Sequence, residues 1–262
     1  NIGKRALLNR LRVAHITLEL SEAQVTQRYI QSIFSLMRHK ARVDVSRLET
    51  DELGRFVRFD REEVRRQALG DSKTKKEMGE KLDSLRFHDN LLVKNFPSGM
   101  LTVAGLRAYL DALERSHNFI PDVLIIDYPD LMKVNRKQLR EELGGIFIDL
   151  RGVAVERNLV IPTVTQANRA GAEAKLLTET HASEDFSKIM TADTVLTYSQ
   201  TLAERDLGLA RIFVSNTRVS DRDRFLVLIS QAYQIGQFCL DSALMTDRYW
   251  SHLKEVAPEG SE

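Results

Sequence analysis

The stretch Pro121–Met132, PDVLIIDYPDLM, restricts what this chain can fold into more than any other. Val123–Ile126 is a run of four apolar residues, too short for a helix face and without polar alternation. Such a run reads as a strand buried on both sides, the kind found inside a parallel sheet. Asp127 then stands at the strand's carboxyl edge, and Pro129 keeps a helix from starting at once. In open α/β sheets, ligands bind outside the carboxyl ends of the strands. An acid at that edge either holds the water shell of a nucleotide-bound Mg²⁺ or organises the turn.

The same arrangement occurs once more, upstream. Arg12–Leu20, RVAHITLEL, is rich in β-favouring residues and carries Glu19 near its end. Ser21 and Gln24 then have the S-x-x-Q spacing of a capping box, which opens a helix predicted to run to about His39. Two strands ending in carboxylates raise the odds that either acid is functional. A third apolar segment, Leu159–Thr165, leads into Gln166-Ala167-Asn168-Arg169, although Pro162 within it cannot donate to a ladder.

The remaining elements are placed by periodicity and punctuation. Residues 1–10 form a helix with no cap at its start. Residues 40–90 are charge-rich and read as helices packed beside the core, with an exposed polar loop at 70–80. Asn90–Asn95 is a short strand, and Thr102 caps a helix to about His117. A basic loop (Lys133, Arg136, Lys137) precedes a helix reaching about Asn158, and residues 170–183 form a long irregular connection. Late in the chain, Thr194–Tyr198 is a strand, and Leu209–Ser215 pairs antiparallel with Phe225–Ser230. Phe238–Leu240 is a last edge strand, Asp247–Val256 a helix and residues 257–262 a tail. The domain expected is a single one over residues 1–256: an α/β, three-layer core with a mainly parallel sheet, helices on both faces and antiparallel strands near the C-terminus.

Several classes are excluded. No apolar run approaches the ~18 residues needed to span a bilayer. The single Cys239 rules out an internal disulfide framework and suits a reducing setting, so a cytoplasmic location is expected. Six scattered histidines without cysteine partners give no zinc pattern, and no G-x-S-x-G elbow is present. With a net charge of +1, any nucleic-acid contact must come from local basic loops.

As a set, these segments resemble a RecA-type ATPase, most closely the motor domain of DnaB-type replicative helicases. LIIDYPDLM is similar to that family's Walker B segment, and ITLELSE to its strand-end acid motif. TQANR resembles the motif after the next strand, SKIMTADTVL the segment ending in Asp193 before a strand, and SNTR the arginine-finger region. The resemblance implies ATP and Mg²⁺ as ligands, with Asp127 associated with the metal through water and Glu19 polarising the attacking water. It implies Gln166 as the γ-phosphate sensor and Arg218 as a finger presented to a neighbouring subunit. Single-stranded DNA would meet two loops, one with Lys133, Arg136 and Lys137, the other with Arg169 and Lys175. A homo-oligomeric ring, a hexamer, and no membrane partner are implied too. The family's phosphate loop, GxxxxGK[ST], is missing from the 262 residues, and Gly3-Lys4-Arg5 lacks the earlier glycine and the Ser or Thr after lysine. The loop is therefore expected ahead of Asn1. The chain also carries Asn216 where the family has lysine two residues before the finger. Two other readings stay open: a recombination or mediator ATPase, and a RecA-fold regulatory protein without turnover.

Overall fold

The computed structural model describes residues 1–37, 41–66, 72–134, 139–166, 187–218 and 224–256. The chain divides into two compact units, one of residues 1–34, 72–166 and 183–192, the other of residues 35–71, 167–182 and 193–262.

The first unit is built on a parallel sheet. β1 (Val13–Thr17) lies between β4 (Leu91–Asn95) and β5 (Val123–Asp127), in the order β4-β1-β5. Thr17 is in register with both Asn95 and Asp127, so the three strands end level. Alternate residues of each strand point to opposite faces, and both faces are covered. Ala14, Ile16, Leu124 and Ile126 pack against α5 (Val103–His117) through Leu106 and Leu110 and against α6 (Leu139–Arg157) through Ile146 and Val153. Val13 and Val123 meet Ala6 and Leu7 of α1 (Ile2–Leu8) and Val25 and Tyr29 of α2 (Glu22–Phe34). This double cover is why the strands read as unbroken apolar runs. The expected caps are in place: Ser21 and Gln24 hydrogen-bond reciprocally, and the Thr102 hydroxyl accepts the Gly105 N–H.

Leu159–Thr165 extends this sheet only in part. Val160 bridges Val123 and Thr163 bridges Ile126, both parallel. The Leu124 N–H donates to the Val160 carbonyl at 2.9 Å, and the Val160 N–H donates to the Asp122 carbonyl at 3.1 Å. Continuing that register, residue 162 would donate to the Leu124 carbonyl. Pro162 has no N–H, so the pairing thins to two bridges.

The second unit contains the main correction. Residues 41–66 are not helical: β2 (Ala41–Thr50) and β3 (Phe56–Arg66) form a long antiparallel hairpin. Helices follow only at α3 (Ser72–Ser84) and α4 (Phe87–Asn90). One face of the hairpin buries Val43, Val45, Phe56 and Phe59. The other carries ion pairs between the strands, Arg42–Glu63, Arg47–Glu62, Arg58–Glu49 and Arg61–Asp44. High charge density therefore marked a solvated sheet face. The turn closes at Gly54, whose φ of 72° is a left-handed conformation that glycine adopts without steric cost.

The hairpin's phenylalanines share a core with Leu207, Leu209, Leu228, Tyr249 and Leu253. Those residues belong to an antiparallel sheet in the order β6-β7-β8-β9, to the turn after helix Leu202–Asp206, and to helix Arg248–Val256. Strands β6 (Thr194–Ser199), β7 (Leu209–Thr217) and β8 (Phe225–Ser230) fall where expected. The edge strand β9 is Ser242–Leu244 rather than Phe238–Leu240. Phe238 instead packs beside Tyr198 and Tyr233.

Within this core sits a buried charge pair. Glu204 is 0% and Arg211 1% exposed, joined by hydrogen bonds of 2.6 and 3.1 Å. The Tyr249 hydroxyl donates to Glu204 at 2.8 Å, Glu204 accepts the Thr201 N–H in a capping box, and the Arg211 guanidinium lies 4.9 Å from the Trp250 ring centroid.

Candidate active site at the carboxyl edge of the parallel sheet

Beyond the level ends of the three strands, short-range hydrogen bonds hold the turn that carries Glu19. The Thr17 hydroxyl donates to the Leu20 carbonyl at 3.1 Å and accepts the Leu20 N–H at 2.9 Å. The Asn95 amide donates to the Leu20 carbonyl at 2.9 Å, and the Leu18 N–H donates to the Asp127 carbonyl. Glu22 accepts the Asn95 N–H at 3.1 Å, and this bond holds its carboxyl below the usual carboxylate range. Glu19 is left exposed on a turn fixed from both sides.

The electrostatics join Glu19 to Asp127. Asp127 is half-buried, and its carboxyl lies above the ordinary range first because of burial and then because Glu19 repels its charge; Arg28 of α2 pulls the other way. The phenol of Tyr128 is raised by burial and by the charges of Glu19, Asp130 and Asp127. Gln166 reaches the same cluster, its amide donating to the Tyr128 hydroxyl at 3.1 Å. Thr165 donates to Asp130, and Thr163 to the Ile126 carbonyl. Three strand ends thus bring two acids and an amide to one place.

A cavity of about 290 Å³ adjoins Asp127, lined by Gly3, Lys4, His15, Arg28, Tyr29 and Thr163 among others. Gly3 is required there, because a Cβ would collide with the Tyr29 hydroxyl and the Ile125 side chain. Tyr29 also hydrogen-bonds His15 Nδ1 at 3.0 Å, while His15 Nε2 has no partner among the described residues. Burial, with a smaller push from the amino-terminal charge, lowers the His15 pKa to about 4. A histidine depressed in the fold stabilises it above its unfolded pKa, and that stability is lost as pH falls. Between pH ~6.5 and ~4, His15 should therefore cost the protein about 2–3 kcal/mol. His15→Gln is expected to flatten this part of the stability curve, measured by urea unfolding across that range. An unchanged slope would remove His15 as its cause.

The residues present suit a hard cation. An acid held above its usual range beside a second acid is relieved by positive charge. Among the described residues no three His, Cys, Asp or Glu side chains gather into a metal cage. A single carboxylate acting with phosphate oxygens and water is how nucleotide-bound Mg²⁺ is held.

Comparison with solved structures bears on the whole architecture. The chain superposes on a solved ATPase domain of a DnaB-like helicase with a TM-score of 0.63 at 14% identity, covering 90% of this chain and 77% of that one. Its fold is that of DnaB-type helicase ATPase domains. A DnaB-like replicative helicase, solved in a study of its interactions with primase, matches with the same TM-score and identity over 94% of this chain and 54% of that chain. Among curated proteins, the DnaB-like replicative helicase of Enterobacteria phage T4 is 28% identical over 116 residues, 42% of this chain and 24% of the phage protein. The chain thus matches about a quarter of that relative's length. No family profile matches the sequence.

In this DnaB-type fold, the residues singled out from sequence fall into three groups. Glu19, Asp127 and Gln166 meet at one sheet edge. Lys133 is exposed just beyond Met132, its N–H donating to the Leu101 carbonyl at 2.8 Å, whereas Arg136, Lys137, Arg169 and Lys175 lie outside the described residues. Arg218 belongs to the second unit, exposed at the end of β7, with its N–H donating to the Asp193 carbonyl at 2.8 Å. Sequence reasoning missed Thr17, Asn95 and Arg28. Asn95 could have been found, since it closes the strand NLLVKN as Glu19 and Asp127 close theirs. Among the described residues no helix is long and apolar enough to cross a membrane.

Proposed function

We propose that this chain is part of an ATP-hydrolysing motor of the replicative-helicase kind, moving on single-stranded DNA. The observation that carries the reading is the convergence of Glu19, Asp127 and Gln166 at the carboxyl edge of a DnaB-type sheet. Phosphoryl transfer needs little covalent help from a protein; it needs positioned charge. Bound Mg²⁺ would bridge phosphate oxygens and neutralise their developing charge. Asp127 holds that ion through water. Glu19, exposed on its fixed turn, accepts a hydrogen bond from the attacking water and takes up its proton. Gln166 senses the γ-phosphate and is tethered to the acid cluster through Tyr128. Arg218 acts on the nucleotide of a neighbouring subunit, which requires a homo-oligomeric ring, a hexamer by analogy with the fold's relatives.

DNA contact falls to the loops carrying Lys133, Arg136 and Lys137, and Arg169 and Lys175. Contacts of this type follow the phosphate backbone and ignore sequence. The deciding measurement is Mg²⁺-dependent ATP hydrolysis by the full-length protein, with and without single-stranded DNA. Stimulation together with unwinding of a forked duplex supports the motor. Stimulation without unwinding favours a recombination or mediator ATPase, and a folded protein without turnover favours a regulatory role. Replacing Lys133, Arg136 and Lys137 with Ala should lower the salt slope of single-strand binding by about 2, at ~0.7 per lost phosphate contact. An unaltered slope would assign the contact elsewhere.

A further inference from the structure

The opposite edge of the same sheet, where the strands begin, holds a wider concavity of about 900 Å³. It is lined by Arg10, Arg12 and Arg86, by His88 and His117, and by Asp89 and Asp122. Arg12 is committed in part: its N–H donates to the Asp122 carboxylate at 2.7 Å and its guanidinium to the Asn118 carbonyl at 3.4 Å. Arg10 and Arg86 are exposed, and their guanidinium groups make no hydrogen bond or ion pair with a described residue.

The backbone beneath these two arginines is unusual. Helices in a βα unit run back toward the strand beginnings, so α1, α3 and α5 all end here. The residue just past a helix end often turns left-handed, a position glycine takes freely and asparagine tolerates. After α5 and α6 that position is Asn118 (φ 50°) and Asn158 (φ 49°). After α1 and α3 it is Arg10 (φ 61°) and Arg86 (φ 49°). The turn after α1 closes with the paired hydrogen bonds of such an ending, Arg10 N–H donating to the Leu7 carbonyl and Leu11 N–H to that of Ala6. Arginine there is disfavoured by its Cβ, so the turn does not explain the choice.

Nor does compensation of the helix ends explain it. The last turns already carry cations, Arg5 in α1, Lys81 in α3, and Arg115 and His117 in α5. Two unpaired guanidinium groups on a wide concave surface, with a third from the next turn, match phosphate oxygens in charge and in their forked geometry. The concavity is far larger than one phosphate, and its cations come from three separate turns. We propose that this edge is a second nucleic-acid contact, in which Arg10 and Arg86 grip successive phosphates of a strand on the side of the sheet opposite the candidate active site.

The test is binding of a labelled oligodeoxythymidylate to the full-length protein without nucleotide, followed by anisotropy over a salt series. It is independent of ATP turnover, so it stands or falls separately from the motor reading. Arg10→Gly with Arg86→Gly relieves the backbone and removes both charges; its melting temperature should hold or rise. Its salt slope should fall by about 1.4, at ~0.7 per phosphate. Arg10→Lys with Arg86→Lys should restore most of the slope, and excess pyrophosphate should compete poorly if a strand, not a free phosphate, is the ligand. A folded double-glycine variant with wild-type affinity and slope overturns the proposal. Equally effective displacement by pyrophosphate overturns the nucleic-acid assignment.

Discussion

Glu19→Gln in the full-length protein is expected to lower ATP hydrolysis by about 10²–10⁴-fold while leaving ATP binding intact, the range seen when a positioned general base is lost. The substitution keeps size and hydrogen bonding but cannot accept the proton of the attacking water. Glu19 is exposed and takes no part in the hydrogen bonds among Thr17, Leu20 and Asn95 that fix its turn. The fold should therefore survive, and nucleotide binding with single-turnover kinetics separates the two effects. The variant should also relax Asp127, whose carboxyl is raised in part by the Glu19 charge. Full turnover by a folded Glu19→Gln protein would mean the water is activated by another group.

Arg211→Met is expected to destabilise the protein by about 3–5 kcal/mol, the usual consequence of removing one partner from a buried ion pair. The cost arises because Glu204 stays behind, wholly buried, with the Tyr249 hydroxyl and the Thr201 N–H as the hydrogen bonds described above. Without the guanidinium its folded pKa should rise above the unfolded value. A carboxyl raised in this way stabilises the fold below its unfolded pKa and loses that contribution as pH rises. The variant should thus be least impaired in mild acid, a signature that a simple packing defect lacks. Trp250 is the chain's one tryptophan and lies against Arg211, so its fluorescence in a urea titration reports the transition at this site. A pH-independent loss below ~1 kcal/mol would show that the pair is solvated in the working protein.

How much was legible beforehand depended on what each segment is buried against. Val123–Ile126 and Val13–Thr17 are covered on both faces, so composition alone identified them, and their level ends put Glu19 and Asp127 together. The capping residues Ser21 and Thr102 act within a few residues of themselves, and local chemistry is the part a sequence states directly. The hairpin was misread because its two faces answer to different surroundings: Val43, Val45, Phe56 and Phe59 face a core made by residues far along the chain, whereas the arginines and acids between them suggested a solvated helix. Strict alternation from Arg42 to Val45 was the available sign. Pro162 shows the reverse case, an objection to a strand that the structure meets by reducing the pairing to two bridges. The Thr17–Asn95 support of Glu19 depends on register between strands separated by α2, the whole hairpin, α3 and α4, which no local pattern encodes.

The hairpin also has a consequence for how the chain is made. Its apolar face closes on Leu207, Leu209, Leu228 and Tyr249, and the Ser46 hydroxyl donates to the carbonyl of Leu207, 161 positions downstream. During synthesis β2 and β3 emerge early and wait, with two phenylalanines uncovered, until the last third of the polypeptide has left the ribosome. Such long-range closure is slow, and an exposed strand pair invites association in the interval. The alternating arginines and acids on its outer face keep that waiting ribbon dispersed, so the same charges that line a finished surface guard an unfinished one.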